Sequence, residues 1–274
     1  MNDVAPLPPE VAPRGRWVGR GLLLLALAAT AWVGWREYDH RAAVREAQAA
    51  GCRWNVREPI TLIRADWRAA FQKKTWTESY WQLDVGRDRD LASLRPLLLR
   101  LRPTVLRAPA SKDANLDALQ GLSGVQYLHL GGSPSLQNVD GLQGLSGLKW
   151  LDLSYCTALQ NVDGLQGLSG LKHLDLHFCP ALQNVNGLQG LSGLQHLDLS
   201  RGRPWQNVDV LQSLSGLQTL NLAGNPALLN VDALKGLTGL KDLNLLGCYR
   251  LPASAVGELR AALPKTGIVS DPDP

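Results

Sequence analysis

Residues 142–164 read LQGLSGLKWLDLSYCTALQNVDG, and residues 165–187 read LQGLSGLKHLDLHFCPALQNVNG. Similar units occupy 119–141, 188–210 and 211–233, and a sixth, 234–256, starts in register and then departs. A fixed period of 23 residues means that one small structural unit is stacked on copies of itself, because one unit cannot bury its apolar stripe alone. Within a unit the alternation Leu151-Asp152-Leu153 predicts a short strand with its leucines inward. Cys156, Leu159, Val162, Leu165 and Leu168 then recur every third residue, which suits tight turns and short 3-10 segments. Glycine pairs such as Gly167 and Gly170 permit that tightness.

The pattern Leu148-x-x-Leu151-x-Leu153-x-x-Cys156-x-x-Leu159 resembles the leucine-rich repeat, whose hallmark is L-x-x-L-x-L-x-x-N/C-x-L. The resemblance covers about 119–256, half of the 274 residues. It implies an α/β repeat solenoid: a leucine-rich-repeat horseshoe with a parallel β-sheet on the concave face and mostly short turns and 3-10 segments on the convex side. It also implies that the N/C position, held by Ser133, Cys156, Cys179, Gly202, Asn225 and Cys248, points inward and hydrogen-bonds loop backbone. Cys156 and Cys179 fall on adjacent rungs, within disulfide reach. Four cysteines in the whole chain build no disulfide framework, so free buried thiols are the expectation. Asp140 with Gln143, Asp163 with Gln166, Asn186 with Gln189 and Asp209 with Gln212 have the spacing of helix N-caps with capping-box partners.

Both ends of the array carry candidate caps, which a solenoid requires. Leu91, Leu94, Leu97 and Leu98 predict a helix, Val105-Leu106 a degenerate strand, and 89–118 together an N-terminal cap with a broken first repeat. Ala253 to Leu263 reads as a helix stopped by Pro264, and Ile268-Val269 as a last strand, so 257–274 forms a C-terminal cap and tail. Between 36 and 88 the chain reads as a helix to Ala50, ended by Gly51, and a strand from Ser79 to Val85, with Trp54, Trp67, Phe71, Trp76, Tyr80 and Trp81 around them. A small capping region explains those aromatics better than membrane-surface contact, because no long amphipathic helix is evident.

Residues 1–16 read as a disordered tail, and 17–35 as a transmembrane anchor. GLLLLALAATAWVGW, from Gly21 to Trp35, lacks charge; counted from Trp17 the segment is 19 residues long, with Trp at both ends and Arg beyond. The rival is a cleaved signal peptide with a small-residue site at Ala29-Thr30-Ala31; Trp32 and Trp35 just after it suit an interface better than a new N-terminus. The overall layout resembles bacterial membrane-anchored leucine-rich-repeat proteins. Arg14, Arg16 and Arg20 before the single span balance Arg36, Arg41 and Arg45 after it, so the positive-inside count ties, and insertion of an N-terminal anchor with a short leading tail favours the solenoid outside the cytoplasm. The formal charge of +4 is uneven: residues 1–118 hold 19 basic and 13 acidic side chains, whereas 119–250 hold 7 and 8. The basic excess flanks the apolar segment and forms no stripe, which argues against nucleic-acid binding.

Comparing the repeats with one another locates the candidate function. LQGLSGL and NVDG barely change; the outward strand positions and the loop after them do. With rungs about 4.8 Å apart these positions form columns. One reads Tyr127, Trp150, His173, His196, Thr219, Asp242; the next His129, Asp152, Asp175, Asp198, Asn221, Asn244; His177 sits in the third. An aromatic and imidazole strip beside an acidic strip, open to water, is a recognition surface for a protein partner. Tyr127, His129, Trp150, Asp152, His173, Asp175, His177, His196 and Asp198 are its candidate residues. A passive envelope spacer is the alternative. A metal site in the same His and Asp residues is disfavoured because steps of about 6.6 Å along a strand separate most pairs too far for one ion, with only His173 and His196 natural neighbours. A hydrolase using Ser154 or Ser200 with His177 and Asp175 lacks a nucleophile turn and oxyanion donors. No cofactor is expected.

Overall fold

The computed structural model describes residues 41–57, 80–86, 90–202 and 205–271. The tail 1–16, the anchor segment 17–35 and the aromatic run from Trp67 to Trp76 lie outside the described residues. Among the described residues no helix is long and apolar enough to cross a membrane. The chain divides into two compact units, 1–43 and 44–274. Of the first, residues 41–43 are described, and they are helical.

The second unit is one ten-stranded sheet whose strands lie side by side in chain order: β1 (Arg53–Arg57), β2 (Tyr80–Asp84), β3 (Val105–Arg107), β4 (Tyr127–His129), β5 (Trp150–Asp152), β6 (His173–Asp175), β7 (His196–Asp198), β8 (Thr219–Asn221), β9 (Asp242–Asn244) and β10 (Gly267–Val269). β1 pairs antiparallel with β2, and β2 to β10 run parallel. β1 and its reversal were not legible in the sequence; the strand at 80–84 was.

The register follows the repeat, with Leu128, Leu151, Leu174, Leu197, Leu220 and Leu243 aligned across β4 to β9. Parallel strands of three residues need cover on the face behind them. The threefold-spaced side chains supply it: Leu148, Leu151, Leu153, Cys156, Leu159, Val162, Leu165 and Leu168 are each at most 1% exposed. Each such leucine contributes about 1.5–3 kcal/mol by burial. Behind the strands the backbone also bonds rung to rung, with Gln183 N donating to Gln160 O and Gln160 N to Gln137 O, each at 2.8 Å.

The convex side is built of 3-10 segments, one per rung, from Asp117–Leu119 to Asp232–Gly236. Their start corrects the capping expectation. Asp140, Asp163 and Asn186 are the first residues inside these segments, and the preceding valines make no side-chain cap. The capping oxygen belongs to the Asn two positions earlier: Asn138, Asn161, Asn184 and Asn230 Oδ1 accept from the backbone N–H of Asp140, Asp163, Asn186 and Asp232 at 3.2, 3.3, 3.0 and 2.6 Å. An Asx turn does the work that a capping box does at an α-helix, because the Asp or Asn is already the first residue of the 3-10 segment, which leaves Leu142, Leu165 and Leu188 at N3 and Gln143, Gln166 and Gln189 at the C-cap.

The glycine after that Asp sets the rung spacing. A Cβ on Gly187 would lie 1.9 Å from Val162 O, and one on Gly164 2.2 Å from Val139 O. Val210 and Ala233 hold the equivalent place in the next two rungs, where the 3-10 segment lengthens to five residues, Asp209–Ser213 and Asp232–Gly236.

The N-terminal cap contains the expected helix, Leu91–Leu101, whose first turn is capped by Asp90 Oδ1 accepting from Ala92 N at 2.8 Å. Arg95 ties it to the first repeat by donating to Asp117 O and Ala118 O. At the far end the helix Ala253–Ala262 and β10 close the sheet as read from the sequence. Lys235 bridges to Glu258 at 2.7 Å, and Asp271 accepts from Gly247 N at 2.7 Å.

Candidate functional site

The N/C position behaves as the resemblance implies. Ser133 Oγ donates to Leu130 O at 2.6 Å, Asn225 Nδ2 to Leu222 O at 2.7 Å and Leu199 O at 3.0 Å, and the thiols of Cys179 and Cys248 to Leu153 O and Leu222 O at 3.3 Å. All four cysteines are free and buried. Burial pushes the Cys156 thiol up to about 12 and the Cys248 thiol up to about 11, and raises Cys179 as well.

On the opposite face the first column forms as aligned. Trp150 stands between Tyr127 and His173, and His173 beside His196. The two imidazoles stack nearly parallel, 6° apart, with centroids at 4.4 Å. His129 stacks on Trp150 at 6.4 Å. Tyr127 is 6% exposed and packs on Val105, with Trp150 partly buried against both.

The acidic column is not the solvated strip expected of it. Asp152 and Asp198 are 4% and 1% exposed. Each Asp or Asn of the column uses Oδ1 to accept the backbone N–H two residues on: Ser154, His177, Ser200, Ala223 and Leu246, at 2.9, 2.9, 2.7, 3.1 and 3.1 Å. This is an Asx turn that bends the chain off the end of each strand from β5 to β9, so residue type here answers a backbone need before any partner. The sequence signal was present: only residues able to make that turn, Asp or Asn, occupy the column from 152 to 244.

Around the turns the side chains interlock between rungs. His129 Nδ1 pairs with Asp152 Oδ2 at 2.5 Å. Burial opposes the Asp152 charge, but the hydrogen bond and charge of His129 and the bonds from Ser154 outweigh it and hold the carboxyl below the usual carboxylate range. Asn221 Nδ2 donates to Asp198 Oδ2 at 3.0 Å, and Ser200 Oγ lies 2.5 Å from Asp198 Oδ1 and 2.8 Å from His177 Nδ1. Ser200 and His177 thus meet, as the hydrolase reading asks, but Ser200 is 3% exposed and its hydroxyl is directed at Asp198 rather than outward. Asp175 lies on the backbone N–H of His177. Among the described residues no three His, Cys, Asp or Glu side chains are grouped to hold a metal ion.

Sequence comparison missed the turn after the strands. Tyr155, Phe178 and Arg201, on three consecutive rungs, have φ of 59°, 56° and 51°, and their side chains are exposed. The Tyr155 and Phe178 rings lie 5.4 Å apart, and Tyr155 meets His177 edge-on at 5.0 Å. The variable loop was the available signal; the backbone conformation was not.

No protein-family model and no curated protein matches the chain. Among solved structures it is similar to internalin C2 of Listeria monocytogenes, with 24% identity and a TM-score of 0.57 over 69% of this chain and 80% of that one. It is also similar to an internalin (inlF) of the same organism, with 18% identity and a TM-score of 0.56 over 73% of this chain and 65% of that one. The fold is a leucine-rich-repeat solenoid.

Proposed function

We propose that the chain is a protein-binding module whose partner contacts the concave face of the sheet. One observation carries the reading: on rungs otherwise near-identical, the outward strand position varies along the column Tyr127, Trp150, His173, His196, Thr219, Asp242, and Trp150, His173 and His196 lie next to one another on one face. Trp is the residue type most often found as an interface anchor. His129, Asp175 and His177 flank these three, while Tyr127, Asp152 and Asp198 serve by holding the strip in place. A repeat solenoid offers a broad rigid surface of this kind.

The test is a photo-crosslinking residue placed at position 173, and separately at the exposed convex position 169, in the full chain in its native cells. Crosslinks to one defined protein from 173 and none from 169 are expected. The same products from both positions, or none from 173, would return the molecule to the alternative of a passive spacer.

The anchor at 17–35, with the solenoid outside the cytoplasm, belongs to the same proposal. It rests on the uncharged run from Gly21 to Trp35, with Trp17 and Trp35 marking the two interfaces and Arg20 snorkelling from one end. Carbonate extraction of membranes should leave the full-length chain behind; a soluble product starting at Trp32 would show a cleaved signal peptide instead.

A further inference from the structure

The turn that follows each strand from β3 to β9 uses a left-handed residue, and from β3 to β8 the reason is a hydrogen bond. Its backbone N–H donates to the next rung: Ala110 to Gly131 O, Gly132 to Ser154 O, Tyr155 to His177 O, Phe178 to Ser200 O, Arg201 to Ala223 O and Gly224 to Leu246 O, at 2.6 to 3.1 Å. Glycine adopts that conformation at no steric cost, and Gly132, Gly224 and Gly247 hold it at φ of 76°, 69° and 77°. Three successive central rungs instead carry Tyr155, Phe178 and Arg201. A bulky side chain there is a genuine outlier. The exposure is a second liability, since Tyr155 and Phe178 are 49% and 41% exposed. Backbone outliers of this kind cluster at ligand clamps, and here they carry large exposed side chains on adjacent rungs.

The chemistry of the ledge is specific. Tyr155 and Phe178 offer two adjoining ring faces. Arg201 stands on the next rung, its stem lying over Gly224, where a Cβ would meet Arg201 Cγ at 2.8 Å. Among the described residues no carboxylate pairs with Arg201, although the rungs beside it are rich in Asp. Those carboxylates are engaged inward: Asp198 accepts from Ser200 and Asn221, and Asp175 from His177 N. His177 Nε2 is 3.3 Å from Tyr155 Oη, which steadies the ring.

We infer that Tyr155, Phe178 and Arg201 form a ledge at the rim of the sheet that takes a peptide segment presenting a carboxylate next to a large apolar side chain. The rings receive the apolar group, and the guanidinium receives the carboxylate, in the two-pronged geometry that favours Arg over Lys. This rests on the reading of the chain as a protein-binding module and moves its anchor from the strands to the turns.

Glycine substitution tests it, because glycine is what the backbone prefers at all three places. A display library of random short peptides is selected on the full chain, with the Tyr155→Gly/Phe178→Gly/Arg201→Gly variant as counter-selection. The enriched peptides, synthesised and labelled, are the probe. They should carry Asp or Glu beside Leu, Ile, Phe or Trp, lose binding to the triple variant, and bind Arg201→Gln about tenfold or more weakly. The variant should melt no lower than the parent chain. A lower melting point would show that the rings are kept for packing and would overturn the inference. So would enriched peptides without carboxylates, no enrichment over the triple variant, or a neutral oligosaccharide outcompeting every peptide. Probes that bind the glycine variant but not Trp150→Ala/His173→Ala/His196→Ala would overturn the ledge while leaving the concave-face reading standing.

Discussion

His177 Nδ1 lies 2.8 Å from Ser200 Oγ on the next rung, and that hydroxyl lies 2.5 Å from Asp198 Oδ1. In its carboxylate form Asp198 can only accept, so the Ser200 proton goes to it. Ser200 must then accept from His177, which places the imidazole proton on Nδ1 and leaves Nε2 to accept from Tyr155 Oη at 3.3 Å. Three turns on three rungs share one directed chain of hydrogen bonds.

The tautomer is therefore a prediction. Nitrogen-detected NMR of the neutral protein should show His177 protonated at Nδ1, and Ser200→Ala should release it toward the ordinary Nε2–H form. An Nε2–H signal in the parent protein would mean that the Ser200 proton points at His177 and that the chain runs the other way.

Asp152 makes stability sensitive to acid. Its folded carboxyl is held below the usual range by His129 and Ser154 in spite of burial, whereas in the unfolded chain it titrates near its ordinary value of about 3.9. A depressed folded pKa contributes stability that is present above the unfolded value and is lost as pH falls through the folded one. Asp152→Asn should lower the urea midpoint at neutral pH and fall less steeply than the parent below about pH 4. Parallel curves for the two proteins would show that the pair with His129 carries no linkage.

The rung spacing predicts an asymmetry between two glycines of the same repeat family. Gly187→Ala drives a Cβ to 1.9 Å from Val162 O and should cost about 1–3 kcal/mol or more, as overpacking does. Gly236→Ala meets nothing within 4 Å and does not sit at positive φ, so it should be neutral or stabilise by about 0.4–1 kcal/mol. Denaturant midpoints compare them directly; equal effects would disprove the close approach of backbones at Gly187.

Buried thiols with raised pKa should be inert. Cys156, Cys179 and Cys248 point into the solenoid and hydrogen-bond carbonyls, and burial holds each in the thiol form. Since the thiolate is the reactive species, alkylation with iodoacetamide at mildly alkaline pH should modify none of the three until denaturant is added. Rapid native labelling of any one would place it at the surface.

The sequence by itself determined the repeating unit, its inward leucines, the position of each strand from Val105 onward and both closing helices. Those features rest on local periodicity: a residue whose side chain must be buried every third or every second place announces it in its own unit and again in the next. Tertiary structure decided everything that depends on what the neighbouring rung does. The antiparallel β1 has no repeat to announce it. The Asx turn moved capping from Asp to Asn, because the 3-10 segment already includes the Asp and ends before the Gln. Asp152 and Asp198 alternate outward like their neighbours, yet side chains from adjacent rungs and their own turns enclose them. Tyr155, Phe178 and Arg201 stand where the sequence shows only a variable loop; the left-handed backbone that sets them apart is imposed by a carbonyl one rung away. Burial and backbone strain on this face are set between rungs, and a pattern read along a single chain has no access to that direction.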